Sequence, residues 1–181
     1  MHAMPCGPPS IAAAADGPLR LFVALWPEPP LRQALAAWAA PWVGAGRPVA
    51  ASQLHLTLHF LGSVPQSQLP ALRHALHVPA VPCSLQIGGC AHWRDLLVAL
   101  PLQLPPELGE RHARLGEALQ ALGLPRESRA WRPHITLARR HTGPLPPPLA
   151  TPLVWPVRSH VLVASAGGYR VLASFGPGRR G

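Results

Sequence analysis

Two stretches of this chain alternate apolar and polar residues one by one, and they lie 79 residues apart, at His55 and His134, in a chain of 181. In the first, Leu54, Leu56, Leu58 and Phe60 alternate with His55, Thr57 and His59. In the second, Ile135 and Leu137 alternate with Arg132, His134, Thr136 and Ala138. A period of two is the signature of a strand with one face buried. Two such strands half a chain apart predict a duplicated lobe with a pseudo-two-fold axis. His55 and Thr57 share a face, as do His134 and Thr136, because side chains at i and i+2 point the same way. By the same rule His59 joins His55 on the polar face, as an edge of a cleft, and Arg139 falls opposite His134.

The rest of the chain is cut into short pieces by 25 Pro and 16 Gly. Together they are about 23% of the residues, just below the level that suggests low complexity, so the expectation is many turns and loops. Leu19 to Trp26 reads as a buried strand ended by Pro27. Leu31 to Trp42 has helical spacing of Leu31, Leu35, Trp38 and Trp42, with Pro29 and Pro30 at its start. A late-starting helix is expected within Gln66 to His77. Val81 to Ile87 reads as a strand, Gly88-Gly89 as a turn, and Asp95 to Leu100 as a strand. Glu107 to Leu122 is a helix striped by Leu108, Leu115, Leu119 and Leu122, ended by Gly123 and Pro125. Residues 143–156 read as a Pro-rich loop, and Arg158 to Ser165 and Tyr169 to Phe175 as a hairpin turned by Gly167-Gly168. Short strands with few helices and no glycine-rich loop after a strand predict an α+β fold. The expected domain runs over residues 19–176, between tails at 1–18 and 177–181.

Composition narrows the chemistry. Only two Asp and five Glu are present, with no spacing that suggests a carboxylate pair or a magnesium site. The 16 basic residues are all Arg, and the net charge is +9. Such a chain attracts phosphates, which arginine holds with a two-pronged donor fork. Three cysteines make no disulfide framework and suggest a reducing compartment. No signal peptide or membrane span is expected, so the reading is a soluble cytoplasmic protein, and a monomer.

Four Thr and ten His in this length give about 0.2 chance occurrences of His two before Thr, against two observed. A pair of imidazoles near neutral pH can act as general base and general acid on opposite sides of a displacement. Threonine hydroxyls can donate to non-bridging phosphate oxygens. The chemistry this suggests is in-line displacement at phosphorus.

His55-Leu-Thr-Leu and His134-Ile-Thr-Leu resemble the paired motifs of the 2H phosphoesterase superfamily. They are most similar to its RNA 2′,3′-cyclic phosphodiesterase family, also called 2′-5′ RNA ligase. Leu19 to Leu25, His55 to Gly62, Arg132 to Arg139 and Tyr169 to Phe175 extend the resemblance over about residues 19–175. It implies a bilobal α+β fold with two antiparallel sheets and flanking helices around a central cleft, and no cofactor or metal. It implies hydrolysis of a terminal 2′,3′-cyclic phosphate on RNA to a 2′-phosphate, and possible reverse 2′-5′ ligation. It implies His55 as proton donor, His134 as proton acceptor, and Thr57, Thr136 and Arg139 as phosphate-binding residues.

Alternatives stay open at this stage. Trp93, in Cys90-Ala-His-Trp-Arg94, is either a platform for a base or a lid or core residue. A non-catalytic RNA-binding module would suit the charge but not two equivalent His/Thr pairs. A related phosphodiesterase acting on another cyclic phosphate or a 2′-5′ oligonucleotide would share the same core. A zinc site at Cys83, Cys90 and His92 lacks the paired short spacings of structural zinc. The other histidines, His2, His74, His77, His92, His112, His141 and His160, read as unpaired surface or packing residues.

Overall fold

The computed structural model describes residues 17–125 and 129–176. Most of the two expected tails, at 1–18 and 177–181, lies outside them. The chain runs β1 (Leu19–Leu25), α1 (Pro29–Ala39), β2 (Arg47–Pro48), β3 (Leu56–Val64), α2 (Leu69–Ala75), β4 (Cys83–Trp93) and β5 (Leu96–Pro101). It continues α3 (Pro106–Ala121), β6 (Ile135–Arg139), β7 (Leu153–Val157), β8 (His160–Ser165) and β9 (Tyr169–Phe175). The strands form one curled antiparallel sheet in the order β7-β4-β5-β6-β3-β1-β8-β9, with β2 added beside β6. The fold is α+β.

The sheet consists of two four-stranded arrays joined at its centre by a single pair, Leu56 opposite Ile135. These are the residues that follow His55 and His134. In each half an antiparallel strand pair is connected through a helix: β1 to β3 by way of α1, and β5 to β6 by way of α3. The helices cross over. α1 packs against β6 and β7, whereas α3 packs against β3 and α2. Each lobe's helix therefore covers strands of the other lobe, and both contribute to one apolar core that includes Leu25, Leu35, Leu56, Leu115, Ile135 and Trp155.

The local sequence explains the element ends. Prolines stand in the first turn of all three α-helices, where the missing N–H costs nothing. α3 ends at Gly123, whose φ is +72°. The Gly123 and Leu124 amides bond back to the Gln120 and Leu119 carbonyls, the paired bonds of a Schellman stop.

Two expectations are corrected. Gly88-Gly89 is not a turn; β4 runs through it, with a bulge where Ile87 faces Pro101 and Gly89 faces Leu100. The reversal comes later, at Arg94-Asp95, with Arg94 at φ +57°. The Pro-rich loop holds β7 in its last third, with Pro156 opposite Ser84. β7 is an edge strand, where a proline without a donor is tolerated. The hairpin at Gly167-Gly168 is as expected, both glycines having positive φ. Among the described residues, no helix is long and apolar enough to cross a membrane.

Candidate active site

His55 and His134 stand at the starts of β3 and β6, one on each side of the Leu56–Ile135 pair. The same local device fixes both rings. Nδ1 of His55 lies 2.6 Å from the Gln53 carbonyl, and Nδ1 of His134 lies 2.8 Å from the Arg132 carbonyl. A carbonyl only accepts, so each Nδ1 carries the proton and donates it. Each Nε2 is then the free nitrogen.

The two rings have different surroundings. Trp26 stacks on His55 at 5.3 Å and 10°, Phe22 lies at 4.9 Å, and Tyr169 meets it edge-on at 5.1 Å. Burial holds the His55 pKa below the ordinary imidazole value, opposed by the bond to Gln53 and aided by the nearby charges of His134 and Arg139. Burial also lowers the His134 pKa, opposed by the Arg132 carbonyl and aided by the Arg132 guanidinium. Trp93 packs against His134 at 4.4 Å, and Arg132 lies 4.3 Å over the Trp93 ring. One face of Trp93 is therefore covered by Arg132.

Bulges reset the faces of both strands. On β6, Thr136 pairs with Val98 and Ala138 with Leu97, leaving Leu137 as the extra residue. Arg139 then pairs with Leu96, which shares a face with Val98. Arg139 consequently lies on the face of His134 and Thr136, not on the opposite one expected from unbroken alternation. On β3, Thr57 pairs with Ala24 and His59 with Val23, so Leu58 is the extra residue.

That bulge turns His59 away from the cleft, against the expectation that it forms an edge of it. His59 is 7% exposed, its Nε2 bonds the His112 carbonyl at 2.9 Å, and its ring stacks on His112 at 4.2 Å. A Cβ on Gly116 of α3 would sit 3.3 Å from the His59 ring, so the glycine makes room for it. Phe60 takes the vacated place. It pairs with Phe22 on the face of Ala24 and Thr57, and it is 64% exposed. Phe60 and Arg139 are each five residues beyond their histidine, at pseudo-equivalent positions past equivalent bulges. One lobe thus offers an exposed aromatic ring and the other a cation.

Sequence reasoning missed Phe60 because period two assigns it to the core. Only its 64% exposure and its pairing reveal it. The first lobe's wall is otherwise apolar, with Phe22, Ala24, Val161 and Val163 buried beneath Trp26 and Tyr169. Thr57 and Thr136 are half-buried at the floor. The Thr57 carbonyl accepts from Trp131 Nε1 at 3.1 Å, tying β3 to the chain just before the second histidine.

Known proteins are similar to this chain in sequence and fold. Residues 27–165 match the 2′-5′ RNA ligase superfamily. The chain is 33% identical over 170 residues to an RNA 2′,3′-cyclic phosphodiesterase of Thermus thermophilus, covering 81% of this chain and 82% of that one. It is 34% identical over 140 residues to the Escherichia coli enzyme of the same name, covering 72% and 78%. The crystal structure of E. coli LigT complexed with 3′-AMP superposes with a TM-score of 0.79 at 29% identity, covering 88% of this chain and 98% of that one. Two histidine–threonine strands that meet at one pair, on a sheet superposing along nearly the whole of a LigT chain, leave one family: this chain belongs to the 2′-5′ RNA ligase superfamily.

Proposed function

We propose that this phosphodiesterase hydrolyses the terminal 2′,3′-cyclic phosphate of RNA to a 2′-phosphate by two-histidine general acid/base catalysis. The observation that carries the reading is the matched pair of histidines. Both are held by Nδ1 on a backbone carbonyl two residues back, on either side of one strand pair. Nε2 of each is left to exchange a proton.

His134, neutral, takes a proton from water as the water oxygen bonds to phosphorus. The P–O3′ bond breaks, and O3′ leaves with the proton from His55 Nε2. The ring that began charged ends neutral, and its partner the reverse. The charges of His55 and His134 oppose one another, so two protons on the pair are disfavoured. An incoming phosphate anion favours the charged form of the acid. Thr57, Thr136 and Arg139 would hold the non-bridging oxygens as charge grows there. Run backwards, with an RNA 5′-hydroxyl in place of water, the same two rings would serve 2′-5′ ligation.

The acid's place on the first lobe also orients the nucleoside. If O3′ leaves toward His55, the ribose lies on that side and its base falls against exposed Phe60, which offers a stacking face. A short RNA ending in a 2′,3′-cyclic phosphate tests the reading, incubated with EDTA and wild type, His55→Ala or His134→Ala. A 2′-phosphate product is expected from wild type, with each variant slower by about 10²–10⁴-fold. Loss of the wild-type rate in EDTA would overturn the two-histidine mechanism. Unchanged RNA under all conditions would overturn the activity itself.

A further inference from the structure

We propose that Arg47 is a second phosphate-binding residue that grips the phosphodiester on the 5′ side of the terminal nucleotide, so that the enzyme favours RNA chains over mononucleotides. This rests on the phosphodiesterase reading above. β2 is only two residues long, and it pairs Arg47 directly with Arg139 and Pro48 with Ala138. Residues directly opposite on antiparallel strands point to one face. Arg139 is on the cleft face, so Arg47 is too. Pro48 and Ala138 are on the other face; Pro48 lines an apolar cavity with Ala36, Val43, Leu54 and Leu137, and Ala138 belongs to the core.

The pairing is built closely. A Cβ on Gly46 would lie 3.0 Å from the Val43 carbonyl oxygen, 3.2 Å from that of Arg139 and 3.3 Å from the His141 Cα. A side chain here would press on three backbone positions at once, so glycine suits the close approach of this segment to the end of β6. The result is two arginines directly opposite one another on neighbouring strands, on the cleft face. Like charges directly opposite are destabilising in a sheet. Among the described residues, neither Arg47 nor Arg139 has a carboxylate within ion-pair distance, and both are exposed. Arg132, by contrast, is spent on Trp93. A protein that sets two cations side by side in a cleft without an internal counter-ion leaves an anion of the ligand to supply one.

Arg139 lies on the cleft face with His134 and Thr136, past the β6 bulge, so in this reading it faces the reacting phosphate. β2 lies on the same flank of β6 as β3, the flank that carries His55. Arg47 therefore stands one strand nearer the ribose side than Arg139, and about 5 Å away at Cβ. The next anion along an RNA strand is the phosphodiester on the terminal ribose's 5′-oxygen. A nucleoside 2′,3′-cyclic phosphate has no such group.

The test compares kcat/KM of wild type and Arg47→Ala on adenosine 2′,3′-cyclic phosphate and on a short oligonucleotide with the same end, across a salt series. Arg114→Ala, on α3, is the control for loss of a surface charge. Arg47→Ala should slow the oligonucleotide reaction about tenfold, the loss of one charge-assisted contact. It should make the salt slope shallower by about 0.7, with the mononucleotide rate within about twofold of wild type as the readout of an intact fold and centre. Equal loss on both substrates would overturn the proposal and put Arg47 on the reacting phosphate. No loss on either, or the same loss in Arg114→Ala, would reduce Arg47 to a solvated charge. If wild type turned over neither substrate, the phosphodiesterase reading would fail first.

Discussion

His55 is surrounded by rings and His134 by a ring and a cation, and that difference can be titrated. Trp26, Phe22 and Tyr169 exclude water from His55, and burial is the largest cause of its lowered pKa. Trp26→Ala should therefore bring the His55 pKa up toward 6.5, as followed by the imidazole proton shifts on NMR titration. The His134 titration should not rise with it, since Trp26 is not among its contacts. A His55 pKa that does not rise would mean the stacked ring contributes no desolvation. The four motif residues were legible in the sequence because His-x-Thr repeated on alternating segments, and alternation alone puts each pair on one face. His59, Phe60 and Arg139 were misplaced for one reason. Each lies beyond a bulge, and an added residue inverts every later position of a period-two pattern.

At the level of elements, the C-terminal end of β6 is held by a clamp invisible to pattern reading. His141 is 1% exposed; its Nε2 donates to the Trp42 carbonyl at 2.8 Å and its Nδ1 accepts from His92 Nε2 at 2.7 Å. Its backbone N–H donates to the Asp95 carbonyl at 2.8 Å. The turn that follows α1, the β4–β5 turn and the Arg139 strand are fastened at one imidazole. Sequence reasoning left His92 and His141 unpaired because they are 49 residues apart and no local period links them. The two-residue β2 was missed as well, too short to show any period, and β7 was hidden among prolines that signal a loop unless the strand is at an edge. Replacing His141 by Leu removes a buried donor and acceptor and strands the Trp42 carbonyl, a loss of about 1–3 kcal/mol. Denaturant unfolding should register that loss, and kcat/KM should fall further than stability explains, because Arg139 is two residues away. His92→Ala, on the exposed side of the clamp, should cost less than His141→Leu; the reverse order would show that the clamp does not hold β6.

Across the whole molecule, the crossed helices make one core of two lobes, so the lobes should unfold together. The pseudo-two-fold was legible from the repeated motif, but the crossing was not, since which strand a helix covers is decided by tertiary packing. One buried group far from the cleft gives this unit a pH dependence. His160 of β8 is 0% exposed, stacks on Phe175 at 5.2 Å, and donates from Nε2 to the Leu76 carbonyl at the end of α2. Burial lowers its pKa from 6.5 to about 4, opposed by the Leu76 bond and aided by the positive charges of Arg111 and His77. Arg111, itself 1% exposed with Nη2 on the Val81 carbonyl, keeps that charge fixed through the range. The folded pKa is below the unfolded one, so between these values the unfolded chain binds the extra proton. Stability is then full above pH 6.5 and declines as pH falls toward 4. The gap corresponds to about 3 kcal/mol from this one residue. Urea unfolding of wild type should show that decline between neutral pH and pH 4.5, as one transition by fluorescence and circular dichroism. His160→Gln keeps a donor for Leu76 without the titration, and should lower stability at pH 7 while flattening the dependence. An equally steep decline in the variant would move the effect to other groups, and two separate transitions would mean that the crossed helices do not couple the lobes.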